Sequence, residues 1–237
     1  MSKNDELHNL YKNICGCRIC SKMDREKSLR LVQAVNPKSD VFIISQSLAA
    51  NQLRCSGVNF FELSGKLGST GGSLERFLNK FDRTVYPYQE VRISNSVAIP
   101  KCKPGYLSVY NTEITQCYPG KKQVGRGDRT PDSNEIYKCI GQGFLTREIE
   151  LIKPKLLFLM GKSSLDSFFK HILNVPYPDL LSTHISEIVQ SREIPKFYLG
   201  NRSVYILPIQ HASGANPQFQ TMTNDHKLIE LIKGVLE

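Results

Sequence analysis

The sequence contains no tryptophan, no internal repeat and no low-complexity tract. None of its apolar runs approaches the roughly 18 residues that a transmembrane helix needs. The first residues, Met-Ser-Lys-Asn-Asp-Glu, contain no apolar segment of the signal-peptide kind. These absences argue against a repeat solenoid and a helical membrane protein. They lead us to expect a cytoplasmic protein without a membrane partner.

Negative charge is also in short supply. The 237 residues include 31 Lys and Arg against 22 Asp and Glu, which gives a formal net charge of +9. An excess of this size favours a polyanionic partner such as nucleic acid. With 40% hydrophobic residues the chain has enough apolar side chains for a core. At this length the chain forms one large domain or two small ones, and we expect a single domain over residues 1–237 that is monomeric.

Seven cysteines stand out in a sequence for which a reducing compartment is expected. In such a compartment they favour metal or cluster ligation over a disulfide framework. Three fall in Cys15-Gly-Cys-Arg-Ile-Cys20, where Cys17 and Cys20 have the spacing that lets two thiolates reach one metal centre. A thioredoxin-like redox pair is the alternative, but a polar, basic segment follows here instead of a helix. We therefore interpret residues 1–35 as a cysteine-bearing ligand segment, in which Cys15 is a bystander or an alternative ligand.

Apolar runs alternate with amphipathic segments along most of the chain. The runs that predict strands are residues 40–45, 91–94, 153–160 and 203–207. The segments with helical spacing are residues 5–14, 72–81, 132–152 with a break at Gly141 to Gly143, 162–172 and 224–236. Strands that alternate with helices predict an α/β fold. We expect a three-layer α/β/α sandwich around a central four-stranded parallel sheet.

Polar residues follow several of the predicted strands. In an open α/β sheet, ligands bind just beyond the carboxyl ends of the strands. Asn95 ends the predicted second strand, and its carboxamide suits reading the edge of a nucleobase, although capping a turn is the alternative. His211, with Ser213 and Asn216, follows the fourth strand. The sequence therefore predicts a polar site at this edge of the sheet.

Residues 99–135 are long, polar and basic, and we interpret them as an insertion. Lys121, Lys122 and Arg126 are among its cations. A loop of this length in a compact domain is usually functional or held by something. Because Cys102, Cys117 and Cys139 fall in or just after it, a metal cluster would supply the tether.

The short motifs, in order, resemble the uracil-DNA glycosylase superfamily, and most of all its iron–sulfur branch, family 4. The matching pieces are Cys17-x-x-Cys20, Arg25 and Val32, Gly57-Val-Asn-Phe60, Gly71 with Leu74, Ile93-Ser-Asn95, Cys117-Tyr-Pro, Arg129-Thr-Pro131, Glu135 with Cys139, Ile152-Lys-Pro-Lys, Leu159-Met-Gly161 and His211-Ala-Ser213. In Gly57-Val-Asn-Phe60, Asn59 stands where the family has proline. No single piece is specific, and the order and spacing carry the resemblance, from Cys17 to about Asn216.

The resemblance implies a [4Fe-4S] cluster. By position its ligands are Cys17, Cys20, Cys117 and Cys139. Cys102 competes with Cys117 for the third place, because it too lies beyond the predicted second strand.

The resemblance also implies an activity and a partner. The partner is DNA with one base flipped out of the stack. Phe60 would stack on that base, Asn95 would read its edge, and His211 would donate to the pyrimidine O2 as negative charge develops there. Ser213 and Asn216 would hold the DNA backbone. The implied reaction is hydrolysis of an N-glycosidic bond, which leaves an abasic site.

The family's first motif lies in the loop after the first predicted strand, and there this chain departs from the family pattern. Where the family has a sequence close to G-E-A-P-G, this chain has Ser45-Gln-Ser-Leu-Ala49. Relatives that place a water-activating Asp or Asn in this loop have it at the position of Ser47, and a neutral serine is a poor base. Asn51 or Gln52 would then position the water, while Gln46 contacts the base. We therefore expect a modified pyrimidine as substrate rather than plain uracil.

Two functions of other classes remain open at this point. The first is a DNA protein that binds a lesion or a modified base without cutting it. The second is an iron–sulfur redox or radical protein, which the compressed spacing of the N-terminal cysteines disfavours. Whether abasic sites form in DNA of defined base content separates the glycosylase from the binding protein.

Overall fold

The computed structural model describes residues 2–20, 35–47, 58–124, 127–175, 181–214 and 216–237. In these ranges the strands are β1 Val41–Ser47, β2 Arg83–Thr84, β3 Val91–Arg92, β4 Ala98–Ile99, β5 Leu107–Ser108, β6 Tyr110–Thr115, β7 Leu156–Met160, β8 Lys196–Leu199 and β9 Arg202–Ile209. The α-helices are α1 Lys3–Gly16, α2 Ser69–Leu78, α3 Ser133–Ile140, α4 Phe144–Ile152, α5 Lys162–Phe168, α6 Leu181–Ser191, α7 Pro217–Thr223 and α8 His226–Leu236. A 3-10 helix, Asn79–Phe81, continues α2, and a π-helical segment, Phe169–Leu173, continues α5.

The central sheet has five strands in the order β6-β1-β7-β9-β8. The first four strands are parallel, and β8 pairs antiparallel with β9 through a short hairpin. Helices cover both faces, so the predicted three-layer α/β/α class is confirmed. The sheet has five strands, not the predicted four, because the edge strand β8 was not predicted. Its residues alternate between exposed and half-buried and do not form a continuous apolar run.

The predicted second strand, residues 91–94, is wrong. Only Val91 and Arg92 are extended there, and β3 pairs with β4 in a separate two-stranded antiparallel sheet. Its place beside β1 belongs to β6, inside the segment interpreted as a long basic loop. The sequence of β6, Tyr-Asn-Thr-Glu-Ile-Thr, is too polar to resemble a buried strand, yet five of its six residues are buried.

One face of the central sheet packs against α1 and α4. The parallel register places Phe42 beside Tyr110, and their rings stack with centroids 4.5 Å apart. Tyr110 donates to Glu148 of α4 at 2.7 Å, and its hydroxyl lies 2.7 Å from that of Tyr11 of α1. The buried Glu148 also accepts from Thr112 at 2.7 Å. These bonds satisfy the hydroxyl groups of Tyr110 and Thr112, so that the face of β6 toward α1 and α4 can be buried.

The other face packs against α2 and α7. Phe158 of β7 contacts Phe77 of α2 at a centroid distance of 5.9 Å, and Phe77 contacts Phe219 of α7 at 5.9 Å. Phe158 is in register with Ile43, and Ile43 with Asn111. Because successive strand side chains point to opposite faces, Asn111, and two residues later Glu113, lie on the α2 face.

The helix boundaries follow the capping residues. Asp132 and Glu135 form a capping box at the start of α3, as the sequence predicts. The predicted break between α3 and α4 is confirmed, with Gly143 at φ +71° before α4. No helix within the described ranges is both long and apolar enough to cross a membrane.

Candidate active site and cysteine cavity

The loop after β9 carries His211, Ser213 and Asn216 at the carboxyl edge of the sheet. It folds back on itself, since Asn216 Nδ2 donates to the His211 carbonyl at 3.0 Å and the Asn216 N–H donates to the Ser213 carbonyl at 3.0 Å. Asn216 Oδ1 accepts from the Gln218 N–H at 3.1 Å and so caps α7. Asn216 therefore fixes the backbone that carries His211.

His211 lies against the end of the neighbouring strand β7. A Cβ added to Gly161, which follows β7 with φ +83°, would lie 3.6 Å from His211 Cβ. The residue as a whole reaches solvent, but the surrounding protein desolvates the imidazole and lowers its pKa. Because the ordinary pKa is 6.5, the neutral imidazole dominates at pH 7. A neutral imidazole has one N–H to donate, as the predicted role requires.

Phe60 packs against the start of α2, at Gly71. Phe60 is buried and has φ +72°. Its Cβ lies only 2.7 Å from the position that a Cβ on Gly71 would occupy. Gly71 is thus required for the close approach of Phe60 to α2. On the same helix, Ser69 and Ser73 lie 4.0 Å from the position of a Cβ on Gly214. The first turn of α2 therefore contacts both the Phe60 segment and the His211 loop.

The end of β1 contributes Gln46 and Ser47 to the same edge. Ser47 is in register with Thr115, whose hydroxyl donates to the Gln46 carbonyl at 3.1 Å. Both residues are half-buried. The other two residues predicted to position water, Asn51 and Gln52, lie outside the described residues.

Asn95 does not end a strand of the central sheet, which corrects the expectation that it follows the second strand of that sheet. It is exposed in the turn between β3 and β4. A Cβ added to Gly65 would lie 3.0 Å from Val97, so this hairpin packs on the turn that follows Phe61. The expectation rested on the apolar run before Asn95, which forms only two paired residues.

Sequence reasoning missed the polar group that β6 places near Phe60. Glu113 is 2% exposed, lies in register with Ser45, and accepts from Asn59 Nδ2 at 2.9 Å. The same Nδ2 lies 3.4 Å from the Asn111 carbonyl. The side-chain amide of Asn111 is buried and has no hydrogen-bond partner among the residues described. The strand shows no alternation of polar and apolar residues, since Asn111, Thr112 and Glu113 are consecutive polar residues, so its sequence contains no local signal.

Four cysteines converge on one cavity beside the sheet. Cys17, Cys20, Cys117 and Cys139 line it with the apolar side chains of Ile14, Ile19 and Phe144. Burial, with a contribution from the other three thiols, raises the pKa of Cys139 to about 12, and burial also raises the pKa of Cys20. No group of three or more His, Cys, Asp or Glu in the described ranges is arranged to hold a metal ion directly.

Two other described cysteines lie away from this cavity. Cys102 follows the β3–β4 hairpin and donates its N–H to the Pro87 carbonyl at 2.9 Å. It does not line the cavity, and neither does Cys15. The donor set around the cavity therefore contains Cys117 and not Cys102.

The basic segment after Cys117 is held to α3 by an ion pair. Arg129 donates from both terminal nitrogens to Glu135, at 2.7 and 2.8 Å, and from Nε to the Pro119 carbonyl at 2.8 Å. The hydrogen bonds from Arg129 lower the pKa of Glu135. This two-point contact fixes the segment beside the cysteine cavity without any metal.

The predicted DNA-binding lysines are at the exposed end of the segment. Lys121 pairs with Asp128 at 2.6 Å, and Lys122 is exposed beside it. The backbones of the same two residues form an isolated antiparallel β-bridge. Arg126, the third predicted contact, lies outside the described residues.

A family model described as the uracil DNA glycosylase superfamily matches residues 32–231. No curated protein matches the chain. Because the match covers most of the sequence and the fold is a mixed α/β sandwich, the chain belongs to the uracil DNA glycosylase superfamily.

Proposed function

We propose that this chain is a DNA glycosylase that hydrolyses the N-glycosidic bond of an unwanted pyrimidine, and that the base is modified rather than plain uracil. Membership of the superfamily supports a DNA glycosylase type of function. The observation that carries the proposal is the joint contact of the α2 start with Phe60 and with the His211 loop. Phe60 and the loop that carries His211 thus contact the same end of one helix.

Base release needs few groups. Water adds to C1′ of the sugar, the C1′–N1 bond breaks, and the base departs with the electron pair and later a proton. His211 donates a hydrogen bond to the pyrimidine O2, where negative charge accumulates. A preorganised donor of this kind typically contributes about 3 kcal/mol to the transition state. The lowered pKa leaves the imidazole neutral at pH 7, and a neutral imidazole still has one N–H to donate.

The flipped base needs a platform and an orienting contact. Phe60 is the platform, and its backbone, which the close approach to Gly71 fixes, leaves the ring little freedom. In this proposal Ser47, at the end of β1, would meet the attacking water and Gln46 would contact the base. Ser213 and Asn216 bring the loop close to the DNA backbone, and Lys121, Lys122 and Arg126 add positive charge.

The donor set fits a [4Fe-4S] cluster in its chemistry. Four thiols surround a mostly apolar cavity, and such clusters are held by four cysteine thiolates. Cys17, Cys20, Cys117 and Cys139 would hold it. The cluster would supply structural cross-linking, because these cysteines come from the end of α1, the end of β6 and the helix α3.

A second candidate function is binding of a modified base without its release. The observation that favours it is at the end of β1, where Ser45, Gln46 and Ser47 offer no carboxylate to activate water. Such a protein would retain Phe60 and the basic surface but would leave the glycosidic bond intact.

The experiment that separates these functions uses a set of duplexes that each contain one altered pyrimidine. After incubation with the purified protein, hot alkali cleaves the DNA wherever an abasic site has formed. Cleavage at one or more of the altered bases, and none in unaltered DNA, is the expected result. Tight binding to an altered duplex without any cleavage would instead assign the chain to the binding class.

A further inference from the structure

We propose that Glu113 reads the edge of the flipped base and selects pyrimidines that carry an amino group at C4, which are bases of the cytosine type. The proposal rests on the proposed glycosylase function and names its substrate class. Sequence reasoning gave the edge-reading role to Asn95, which the structure places in an exposed turn. Glu113 is a buried polar side chain of β6, which is the second strand of the central sheet in chain order. It lies on the face of the sheet that packs against α2.

The position of Glu113 follows from register and from one hydrogen bond. Its neighbour across the parallel pair is Ser45, two residues before the end of β1. Its Oε1 accepts from Asn59, the residue immediately before Phe60, at 2.9 Å. A base stacked on Phe60 would therefore have its edge within reach of the carboxylate. The hydrogen bond also fixes the carboxylate relative to the aromatic platform.

The chemistry of a carboxylate decides which bases fit. An ionised Glu accepts hydrogen bonds and donates none, and its two oxygens together can accept about four. We propose this role for the ionised side chain, in which Asn59 occupies one of the accepting positions. A 4-amino group donates, so it satisfies the carboxylate, and acidic side chains commonly accept from this amine of cytosine. The 4-oxo group of uracil or thymine is an acceptor, and burying it against a carboxylate costs both groups their hydrogen bonds.

Asn111 is the rival reader on the same strand. Its buried amide has no partner among the residues described, and it lies two residues before Glu113 on the same face. An amide both donates and accepts, so reading by Asn111 would favour the 4-oxo bases or would not discriminate at C4. Only reading by Glu113 therefore predicts a preference for the 4-amino bases.

The test uses duplexes in matched pairs that differ only at C4 of one base. The pairs are cytosine with uracil, 5-methylcytosine with thymine, and 5-hydroxymethylcytosine with 5-hydroxymethyluracil. Single-turnover release by the wild-type chain should be faster for the amino member of the best-cleaved pair by about tenfold or more. Faster release of the oxo member, or equal release within each pair, overturns the inference while the glycosylase function stands. No release from any duplex means that the proposed function itself has failed.

Three variants assign the preference to a residue. Glu113→Gln offers both a donor and an acceptor, so it should bring the amino-to-oxo ratio down about tenfold or more. Asn111→Leu should leave that ratio unchanged, and so should Glu62→Gln, which removes an exposed carboxylate from the segment just after Phe60. If Asn111→Leu changes the ratio and Glu113→Gln does not, Glu113 is not the reader. Because the wild-type pairs need no variant, the inference remains testable even if Glu113→Gln does not fold.

Discussion

The side-chain amide of Asn216 donates to the backbone carbonyl of His211 across 3.0 Å. The same side chain caps α7 through its oxygen. Asn216 was expected to contact DNA, but the structure also gives it an internal task. Its two hydrogen bonds connect the start of a helix to the residue proposed to stabilise the departing base.

Substituting Asn216 by aspartate separates these two bonds. Asn216→Asp keeps the oxygen that caps α7 but loses the donor to His211. We expect base release to slow by about tenfold, from a loss of about 1.4 kcal/mol, since the imidazole is less well positioned. The thermal stability should remain close to that of the wild type, because the cap is retained. Single-turnover rates with melting curves measure both, and an unchanged rate would show that the His211 backbone does not depend on this bond.

The cysteine cavity leads to a prediction about colour and iron. Protein purified without oxygen should be brown and contain about four irons per chain, as thiolate-held [4Fe-4S] clusters do. Cys117→Ser and Cys139→Ser should lose most of the iron and some thermal stability. Cys102→Ser is the matched control, because Cys102 does not line the cavity. Iron analysis and the visible absorption spectrum decide the matter, and an iron-free wild type that is folded and active would rule the cluster out.

The ion pair between Arg129 and Glu135 predicts a pH-dependent stability. The pKa of Glu135 is lowered from 4.5 by its bonds to Arg129, so the pair stabilises the fold above pH 4.5 and this contribution is lost as the pH falls through the lowered value. Glu135→Gln should therefore lower the free energy of unfolding by about 2 kcal/mol at pH 7 and by less at about pH 3.

Urea unfolding at the two pH values measures this difference. Glu150→Gln, which alters an exposed pair with Arg147, is the control and should change stability by less than about 1 kcal/mol at either pH. A Glu135→Gln effect that is as large at about pH 3 as at pH 7 would contradict the assignment to the ionised pair.

The exposed end of the basic segment predicts a salt dependence of DNA binding. Each phosphate contact contributes a slope of roughly −0.9 to the plot of log affinity against log salt on duplex DNA. Lys122→Ala should flatten the slope by about that amount without changing the preferred base. Lys38→Ala is the control, because Lys38 is exposed just before β1, at the opposite edge of the sheet. Equal slopes for the wild type and Lys122→Ala would exclude this surface from DNA contact.

The sequence was most informative where burial is complete on both faces of a strand. β1, β7 and β9 contain long apolar runs, and the polar residues after β9 mark the His211 loop correctly. The break at Gly143 and the cap at Asp132 were also predictable, because both depend on local backbone chemistry.

β6 could not be found in this way, because its buried side chains are polar. Thr112 is satisfied by Glu148, which lies 36 residues later, and Glu113 by Asn59, which lies 54 residues earlier. Such partners have no local signature in the sequence. Because β6 was not predicted, residues 91–94 were interpreted as the second strand. The edge-reading role was then assigned to Asn95, which follows them. The error in the fold and the error in the site therefore have the same physical origin.

The central claim is that His211 assists the departure of a pyrimidine base, and its most direct test is single-turnover formation of abasic sites on the best-cleaved duplex. His211→Ala should slow base release by about a hundredfold or more, with DNA affinity nearly unchanged. His8→Ala, on the exposed side of α1, should release the base at the wild-type rate. Release by His211→Ala at the wild-type rate would place the active site elsewhere.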